Sequence, residues 1–226
     1  MRWALTLTNK PLHYPTMTPQ LAKQITGGLS KPSKMPGFAY SIPAQACNVG
    51  SKLRTVKDSI CSKCYALKGR YLFSNVKNAL QRRLDAITHP LWIEAMAFQI
   101  SHAAVNVFRW HDSGDVQSLA HLENIVAVCK KTPDVRHWLP TREYGIVRDY
   151  LDKHGSFPDN LNVRLSAYMV DGPLPLALAD RMGVTVSGVT SDKSKANCPA
   201  YNQGGVCGSC RACWDKNTKS VLYPKH

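Results

Sequence analysis

The sequence predicts an α/β protein, a partial (β/α) barrel that carries a cysteine-rich, metal-binding extension at its C-terminal end. Three observations lead to this prediction. Strand-like runs alternate with amphipathic helical segments between residues 38 and 190, as in βαβ units with a parallel sheet. Seven of the eight cysteines fall into two groups, one near the front of the chain and one near its end. The periodicity stops after residue 190, where we expect a metal to replace a hydrophobic core.

Length, hydropathy and charge narrow the class of protein. The chain has 226 residues, of which 44% are hydrophobic, enough for one core with a small appendage. It lacks a run of about 18 apolar residues, and its N-terminal apolar stretch is too short for a signal peptide, so we expect a cytoplasmic protein without membrane contact. In a reducing cytosol the cysteines are thiols or metal ligands. The net charge of +14 favours DNA or RNA as a partner of a basic surface, the alternative being a cationic surface without a partner.

The chain divides into three predicted segments. Residues 1–37 are rich in proline, threonine and lysine, which indicates irregular structure with one short helix at residues 19–26. Residues 38–190 form the partial barrel with the first cysteine group. Residues 191–226 form the extension that holds the second group.

The barrel elements follow from hydrophobic periodicity. Alternation or a short apolar run predicts strands at residues 38–44, 105–110, 135–139, 161–170 and 184–189. Apolar residues at three- and four-residue spacing predict helices at residues 71–87, 91–102, 117–131, 146–154 and 174–182. Pro90 is well placed to begin the second of these helices. Because crossovers are right-handed, five or six such units can close partway into a barrel.

The second cysteine group has the more specific spacing. Cys207, Cys210 and Cys213 are separated by two residues each, and the remote Cys198 is followed by Pro199. This spacing lets each thiolate bind a different iron of one 4Fe–4S cluster, whereas a zinc ribbon uses separated Cys-x2-Cys pairs. We therefore expect a four-cysteine iron–sulfur centre, with a four-cysteine zinc site as the alternative.

The first group, Cys47, Cys61 and Cys64, is less specific by itself. It can supply three ligands to a 4Fe–4S cluster whose fourth iron is open, or form a zinc site that His89 or His102 completes. Its place after the first strand favours the open cluster, because functional loops gather at the carboxyl ends of parallel strands.

One cysteine and most of the tryptophans are expected to serve packing. Cys129 lies on the apolar face of a predicted helix, where a free cysteine behaves as a small hydrophobe. Trp92, Trp110, Trp138 and Trp214 are predicted to pack rather than to stack on bases. Trp214, beside a cysteine of the second group, is also predicted to shield a cluster from water.

Polar motifs follow the second and third predicted strands. Residues 111–115 read His-Asp-Ser-Gly-Asp, and residues 141–143 read Thr-Arg-Glu. Asp115 is suited to holding an ammonium group, the alternative being an aspartate that only stabilises its own turn. Arg142 is suited to a phosphate or carboxylate, or to pairing with a nearby acid.

These motifs carry two resemblances. A cysteine triad after the first strand, with Tyr65 beside its last cysteine, resembles the radical S-adenosylmethionine (SAM) superfamily, in which the open iron binds SAM. Residues 41–44, 61–66, 108–115, 138–143 and 207–215 resemble the phage-type "gene product 88" family. The second resemblance covers roughly residues 38–226 and implies host cytoplasm as the location, but it implies no activity.

The radical-SAM resemblance implies roles for residues at the ends of three strands. The implied cofactor-binding residues are Ser113, Gly114, Asp115, Arg164, Ser166 and Gly188. Asp115 and Arg164 would contact the amino and carboxylate groups of SAM and would be the catalytic residues. The cysteine spacing departs from the superfamily's usual three residues, because thirteen residues separate Cys47 from Cys61.

Two functions are therefore predicted. The first is an iron–sulfur protein with an open three-cysteine 4Fe–4S centre and a four-cysteine auxiliary centre, radical-SAM-like and acting on a nucleic acid or nucleotide. It would use SAM as a second cofactor and receive electrons from a donor. The alternative is a non-catalytic phage protein that binds nucleic acid and uses iron–sulfur or zinc sites as structural staples. An open coordination position favours the enzyme, and two closed sites favour the binding protein.

Overall fold

A computed structural model of the chain describes residues 16–225. Its centre is a six-stranded sheet in which every neighbouring pair is parallel and the strands follow one another in chain order. The strands are β1 (Phe38–Tyr40), β2 (Val107–Trp110), β3 (Arg136–Thr141), β4 (Leu161–Val170), β5 (Thr185–Thr190) and β6 (Ser220–Pro224). The predicted α/β class with a parallel sheet is confirmed.

Seven α-helices lie among the described residues. They are α1 (Pro19–Thr26), α2 (Asn48–Leu53), α3 (Ser74–Ala86), α4 (Trp92–His102), α5 (Leu119–Lys131), α6 (Tyr144–His154) and α7 (Leu176–Met182). All except α2 match predicted helices, with ends that differ by at most three residues. Across residues 16–225 none of these helices is both long and apolar enough to cross a bilayer.

The short helix α1 shows why its ends were predictable. Thr18 is its N-cap residue, and the Thr18 hydroxyl accepts a hydrogen bond from the Leu21 amide at 3.2 Å. Gly27 ends the helix with a φ of 77°, a left-handed conformation that glycine adopts without steric cost. The first fifteen residues of the predicted irregular segment lie outside the described residues.

Three details correct the predicted elements. The strand predicted at residues 38–44 ends at Tyr40, because the Ile42 amide bonds the Ser113 carbonyl at 3.1 Å and the chain then enters a 3₁₀ turn at Ala44–Ala46. Helix α2 was not predicted, since six residues are too few for a periodic pattern. Strand β6 was not predicted either, because its pairing with β5 depends on the sheet edge rather than on alternation in its own sequence.

Helices α4 to α7 cover one face of the sheet. Phe108 and Leu139 from the strands pack there with Trp92 and Leu122 from the helices, all of them fully buried. Cys129 lies in the same core with no exposed surface, as predicted. The right-handed crossovers of a parallel sheet in chain order account for helices on a single face.

The opposite face is covered by the C-terminal segment instead of helices. Trp214 packs there against Val107 and Trp138, and its indole nitrogen donates to the Phe108 carbonyl at 2.8 Å. The four tryptophans that were predicted to pack, Trp92, Trp110, Trp138 and Trp214, are buried. The segment therefore serves as the second layer of the fold, in which two packed layers enclose the apolar surface of a sheet.

Candidate functional site

The first cysteine group lies in the loop that follows β1. Cys47 is the N-cap residue of α2. Cys61 lies in a 3₁₀ turn at Ile60–Lys63, and Cys64 ends that turn. All three thiols are free, with Cys61 buried and the other two half-buried.

Two contacts from neighbouring strands hold this loop. Ser59, which begins the 3₁₀ turn, forms an isolated antiparallel bridge with Met169 of β4. Glu143, just after β3, accepts a hydrogen bond from the Val49 amide at the start of α2 at 2.9 Å. The loop is thus tied to the carboxyl ends of β3 and β4 by chain contacts alone.

Gly50 allows two of the thiols to approach each other. A Cβ atom at this position would lie 2.9 Å from the Cys47 Cβ and 3.6 Å from the sulfurs of Cys47 and Cys61. Burial raises the pKa of Cys47 to about 12, and the charges of Asp115, Cys61 and Cys64 act in the same direction. The three thiols of the first group therefore lie close enough to influence one another electrostatically.

Charged groups from three elements surround the triad. Burial raises the pKa of Cys61, while the guanidinium groups of Arg142 and Arg54 oppose that increase. Asp115, after β2, raises the pKa of Cys61 further. Metal binding must deprotonate such thiols, so it would release protons and weaken as the pH falls.

Asp115 braces the turn that follows β2. Its Oδ1 accepts hydrogen bonds from the Val116 amide at 2.8 Å and from the Thr141 hydroxyl at 2.6 Å, and its Oδ2 accepts one from the Arg142 amide at 2.9 Å. Asp115 is close to the triad, but all three of these donors belong to the chain. This geometry favours the turn-stabilising alternative over an ammonium contact.

The residues before Asp115 lock the same turn. The Ser113 hydroxyl donates to the Ile42 carbonyl at 3.0 Å. Gly114 has a φ of 82°, and a Cβ there would lie 2.3 Å from Ile42 Cγ1. His111, buried at the end of β2, adopts a φ of 58°, a conformation that is strained for a residue with a Cβ. The positive φ of residue 114 and its close approach to Ile42 are enough to explain why this residue is a glycine.

Arg164 does not lie with the triad. It is fully buried, and its guanidinium donates to the carbonyls of Val186 at 2.7 Å and of Ala212 and Thr218, both at 3.1 Å. It thereby fixes the C-terminal segment to β4 and β5.

The remaining residues assigned to SAM binding lie on β4 and β5. The Ser166 hydroxyl is 3.3 Å from that of Ser187. A Cβ on Gly188 would lie 2.5 Å from Leu174 Cδ2. The structure thus brings Asp115 within electrostatic reach of the triad, sets Ser113 and Gly114 against Ile42, and places Arg164 under the C-terminal segment.

The second cysteine group converges on one small cavity. The lining residues are Cys198, Pro199, Ala200, Cys207, Cys210, Ala212, Cys213 and Trp214. Backbone bonds set their positions: the Cys198 amide bonds the Leu222 carbonyl of β6 at 3.2 Å, and the Cys210 amide bonds the Cys207 carbonyl at 3.0 Å. Four cysteines from a stretch of sixteen residues therefore surround a single space.

Cys213 contacts the sheet through both its sulfur and its carbonyl. Its sulfur is 3.1 Å from the Tyr223 hydroxyl of β6, and its carbonyl accepts a hydrogen bond from the Asn162 side chain of β4 at 2.9 Å. Burial raises its pKa to about 11, while the Tyr223 hydrogen bond and the guanidinium groups of Arg164 and Arg109 lower it.

Arg109 and Arg164 place two guanidinium groups beside Cys213. Arg109 lies over the Trp138 ring with its guanidinium carbon 4.4 Å from the ring centroid. The Nε atoms of both arginines are buried without a hydrogen-bond partner, and neither forms an ion pair within residues 16–225. Burial acts to lower the pKa of both guanidinium groups, whereas Asp112 acts to raise that of Arg109 and Asp215 that of Arg164. The Cys213 thiolate acts on both arginines in the same direction as these acids. Because burying a cation is costly, further negative charge at Cys213 would be favourable for both arginines.

Sequence reasoning missed several of these residues. Gly50, Glu143 and Arg109 were not singled out for the roles that the structure gives them. Arg109 carried a usable signal, since an arginine inside a short buried strand is expensive unless it has a purpose. Gly50 carried a weaker one, as a glycine three residues after Cys47.

The described residues do not form a cage for one metal ion. Between residues 16 and 225, no group of three or more His, Cys, Asp or Glu side chains is arranged to hold such an ion. The cysteine groups are therefore convergent without being closed around a single point.

The family model of gene product 88 matches residues 3–216 of the chain. The comparisons with curated proteins and with solved structures give no match.

Proposed function

The chain belongs to the gene product 88 family, the phage family that its motifs resembled, and we propose that it is an iron–sulfur protein with two centres on a partial (β/α) barrel. The C-terminal cysteines would hold a closed 4Fe–4S cluster. Cys47, Cys61 and Cys64 would hold a cluster with one open iron. Six parallel strands in chain order, with helices on one face, support the barrel because this is the arrangement of a barrel wall.

One observation carries the proposal. All four C-terminal cysteines line the same cavity. The guanidinium groups of Arg109 and Arg164, which form no ion pair within residues 16–225, oppose the increase that burial causes in the pKa of Cys213. Four thiolates contribute four negative charges, which a metal core neutralises only in part. A metal–thiolate centre would therefore add negative charge beside the two arginines.

Iron–sulfur is favoured over zinc by the cysteine spacing. A zinc ion draws four ligands to about 2.3 Å from one point and is usually held by separated Cys-x2-Cys pairs. A cluster binds each thiolate through a different iron, so its ligands stand farther apart. The two-residue spacing of Cys207, Cys210 and Cys213 suits that wider site.

The first group supports an open centre because it provides only three thiolates. A cluster bound there and reduced by an electron donor would supply one electron to a small molecule at its open iron, and SAM is the ligand implied by the radical-SAM resemblance. The chain's part would be positioning: Gly50 leaves room for the thiols, Glu143 holds the start of α2, and Arg142 opposes the increase that burial causes in the pKa of Cys61.

Metal analysis tests the proposal. Protein isolated without oxygen should be brown and hold about eight irons per chain with a matching amount of sulfide. Cys210→Ser and Cys61→Ser should each remove about half of that iron. Cys129→Ala is the matched control, because Cys129 is buried among core residues and should leave the iron content unchanged. A colourless protein with about two zincs per chain would overturn the iron–sulfur assignment.

The ligand of the open centre needs a separate test. Saturating SAM should alter the EPR spectrum of the reduced, fully loaded protein. Asp115→Asn distinguishes the two roles of Asp115: an ammonium contact predicts about ten- to a hundredfold weaker SAM binding, whereas a turn brace predicts lower stability with the same response. An unchanged spectrum would remove SAM from the proposal and leave the clusters in place.

A further inference from the structure

A surface beside the first cysteine group combines exposed rings with unpaired positive charge. Residues 52–77 contain seven basic residues and one acidic residue. We name as the aromatic–basic rim the exposed side chains at its centre: Lys63, Tyr65, Lys68, Arg70 and Phe73. None of the three basic side chains forms an ion pair among the described residues.

The two rings of the rim are exposed to solvent, and one of them is held in place. Tyr65 is 55% exposed although its hydroxyl donates to the Asp112 carbonyl. Tyr71 packs edge-on with it, with ring centroids 5.9 Å apart, and the Tyr71 hydroxyl donates to Asp112 Oδ2 at 3.1 Å. Phe73 is 59% exposed and Leu72 is 52% exposed. Tyr65 is suited to stacking because its ring is already held and loses little entropy when a partner binds, and Phe73 adds exposed aromatic surface.

We propose that the aromatic–basic rim binds a single strand of nucleic acid, with bases stacked on Tyr65 and Phe73 and phosphates on Lys63, Lys68 and Arg70. Stacking on an exposed ring needs a base that is free of its duplex partner, whereas phosphate contacts alone are satisfied by a duplex. Binding at the rim does not require a cluster. The inference rests on the proposed function in one respect: if Cys64 binds the open cluster, the strand would lie beside it, because Tyr65 follows Cys64 directly.

Binding of a fluorescent oligothymidylate to the iron-loaded protein tests the rim. The wild-type protein should bind the oligonucleotide at low salt more tightly than a duplex of the same length. Phe73→Ala should weaken binding about five- to a hundredfold, the usual contribution of one stacked base. Leu176→Ala is the control for loss of exposed apolar surface, because Leu176 is 47% exposed on α7 and outside the rim.

Removing a positive charge from the rim tests the phosphate contacts independently, through the salt dependence of oligonucleotide binding. Lys68→Gln should lower the slope of log K against log salt by about 0.7, the value for one contact with a single-strand phosphate. Lys130→Gln removes the same charge at the end of α5, where the chain approaches the amino end of β3, whereas the rim follows the carboxyl end of β1; this variant should leave the slope unchanged. Equal slopes for the two variants would overturn the proposal.

Two further results separate the partner from other possibilities. Anionic phospholipid vesicles should bind more weakly than the oligonucleotide; retention by vesicles with no binding of the oligonucleotide would overturn the nucleic-acid assignment. The iron content of each variant is measured in parallel. If Phe73→Ala loses oligonucleotide binding but keeps its full iron content, the result supports the rim. If the wild-type protein never holds iron but still binds the oligonucleotide, the result contradicts the proposed function and leaves the rim in place.

Discussion

The two cysteine groups are supported in different ways. The first is held by local backbone devices: a capped 3₁₀ turn, the start of α2, Gly50 and one hydrogen bond from Glu143. The second lies in a segment that the sheet holds through side chains, chiefly Arg164, Asn162 and Trp214. The difference teaches that the first loop keeps its shape through contacts of its own backbone, whereas the second group belongs to a layer of the fold in which Cys213 packs beside the core residues Val107, Trp138 and Trp214.

The largest expected difference comes from removing the ligands themselves. Cys213→Ser should lower the free energy of unfolding by several kcal/mol, because binding of a structural metal contributes on the order of 10 kcal/mol and this segment covers a face of the sheet. Cys61→Ser should lose one centre while the far-UV circular dichroism stays close to that of the wild type. Thermal unfolding with parallel iron analysis measures both effects. Equal destabilisation by the two variants would contradict the division into a local and a structural site.

The second-largest loss of stability is expected for the tryptophan that packs beside the second group. Trp214→Ala is expected to cost about 3–5 kcal/mol, because it empties a buried site and leaves the Phe108 carbonyl without its donor. Tyr65→Ala, beside the first group, should cost much less, since that ring is 55% exposed. Urea unfolding of both variants gives the comparison. A cost for Tyr65→Ala as large as that for Trp214→Ala would show that the first group is as deeply structural as the second.

Substitutions of two glycines test whether Cys47 and Cys61 lie close together because residue 50 has no side chain. Gly50→Ala should cost about 1–3 kcal/mol and lower the iron held by the triad, because the added Cβ would lie 2.9 Å from the Cys47 Cβ. Gly145→Ala is its matched control: this helical glycine has open space around its Cβ position, so alanine should be neutral or stabilising by about 0.5–1 kcal/mol. Full iron content in Gly50→Ala would refute the close approach of Cys47 and Cys61.

The last prediction concerns how the free energy of unfolding depends on pH. It separates the stability lost when a buried core histidine must be protonated from the stability lost when acid releases metal from the proposed sites. His137 is fully buried, with its Nε2 atom 2.9 Å from the Thr132 hydroxyl, and burial lowers its pKa to about 3. The unfolded state binds a proton at a pKa of about 6.5, so the contribution of His137 is complete above that pH. It is lost as the pH falls towards 3, at up to about 1.4 kcal/mol per pH unit.

Unfolding at pH 7 and pH 5 measures this contribution. His137→Gln should show a smaller loss of stability between the two pH values than the wild type, by about 2 kcal/mol. The loss that remains in the variant belongs to other groups, the cysteine ligands among them. An identical pH dependence in both proteins would mean that His137 does not remain neutral in the folded state.

Much of the fold could be predicted from the sequence. Helix α1 lies at the predicted residues 19–26, where Thr18 and Gly27 provide its two caps, and β4 has the predicted bounds because apolar and polar residues alternate along its first half. The end of β1 and all of β6 were missed. Both depend on hydrogen bonds to residues far away in sequence, such as the bond from Ile42 to Ser113, and periodicity within one segment does not report such partners.

The candidate site, too, could be predicted only in part. The spacings of the cysteines in the sequence identified both groups, because ligands of one centre are often only a few residues apart. The roles of the charged residues did not follow. Arg164 was assigned to SAM because it lies on the fourth strand, yet its guanidinium bonds the carbonyls of Ala212 and Thr218.

The sequence by itself determined the order of the strands and helices, the membership of each cysteine group and the excess of positive charge, because these are local patterns or sums over residues. Only the tertiary structure decided which layer covers the second face of the sheet, that Arg109 and Arg164 meet at Cys213, and that Tyr65 keeps an exposed ring beside Cys64. The physical reason is that burial and charge pairing depend on contacts between residues far apart in the sequence, such as Phe108 and Trp214, which are 106 positions apart.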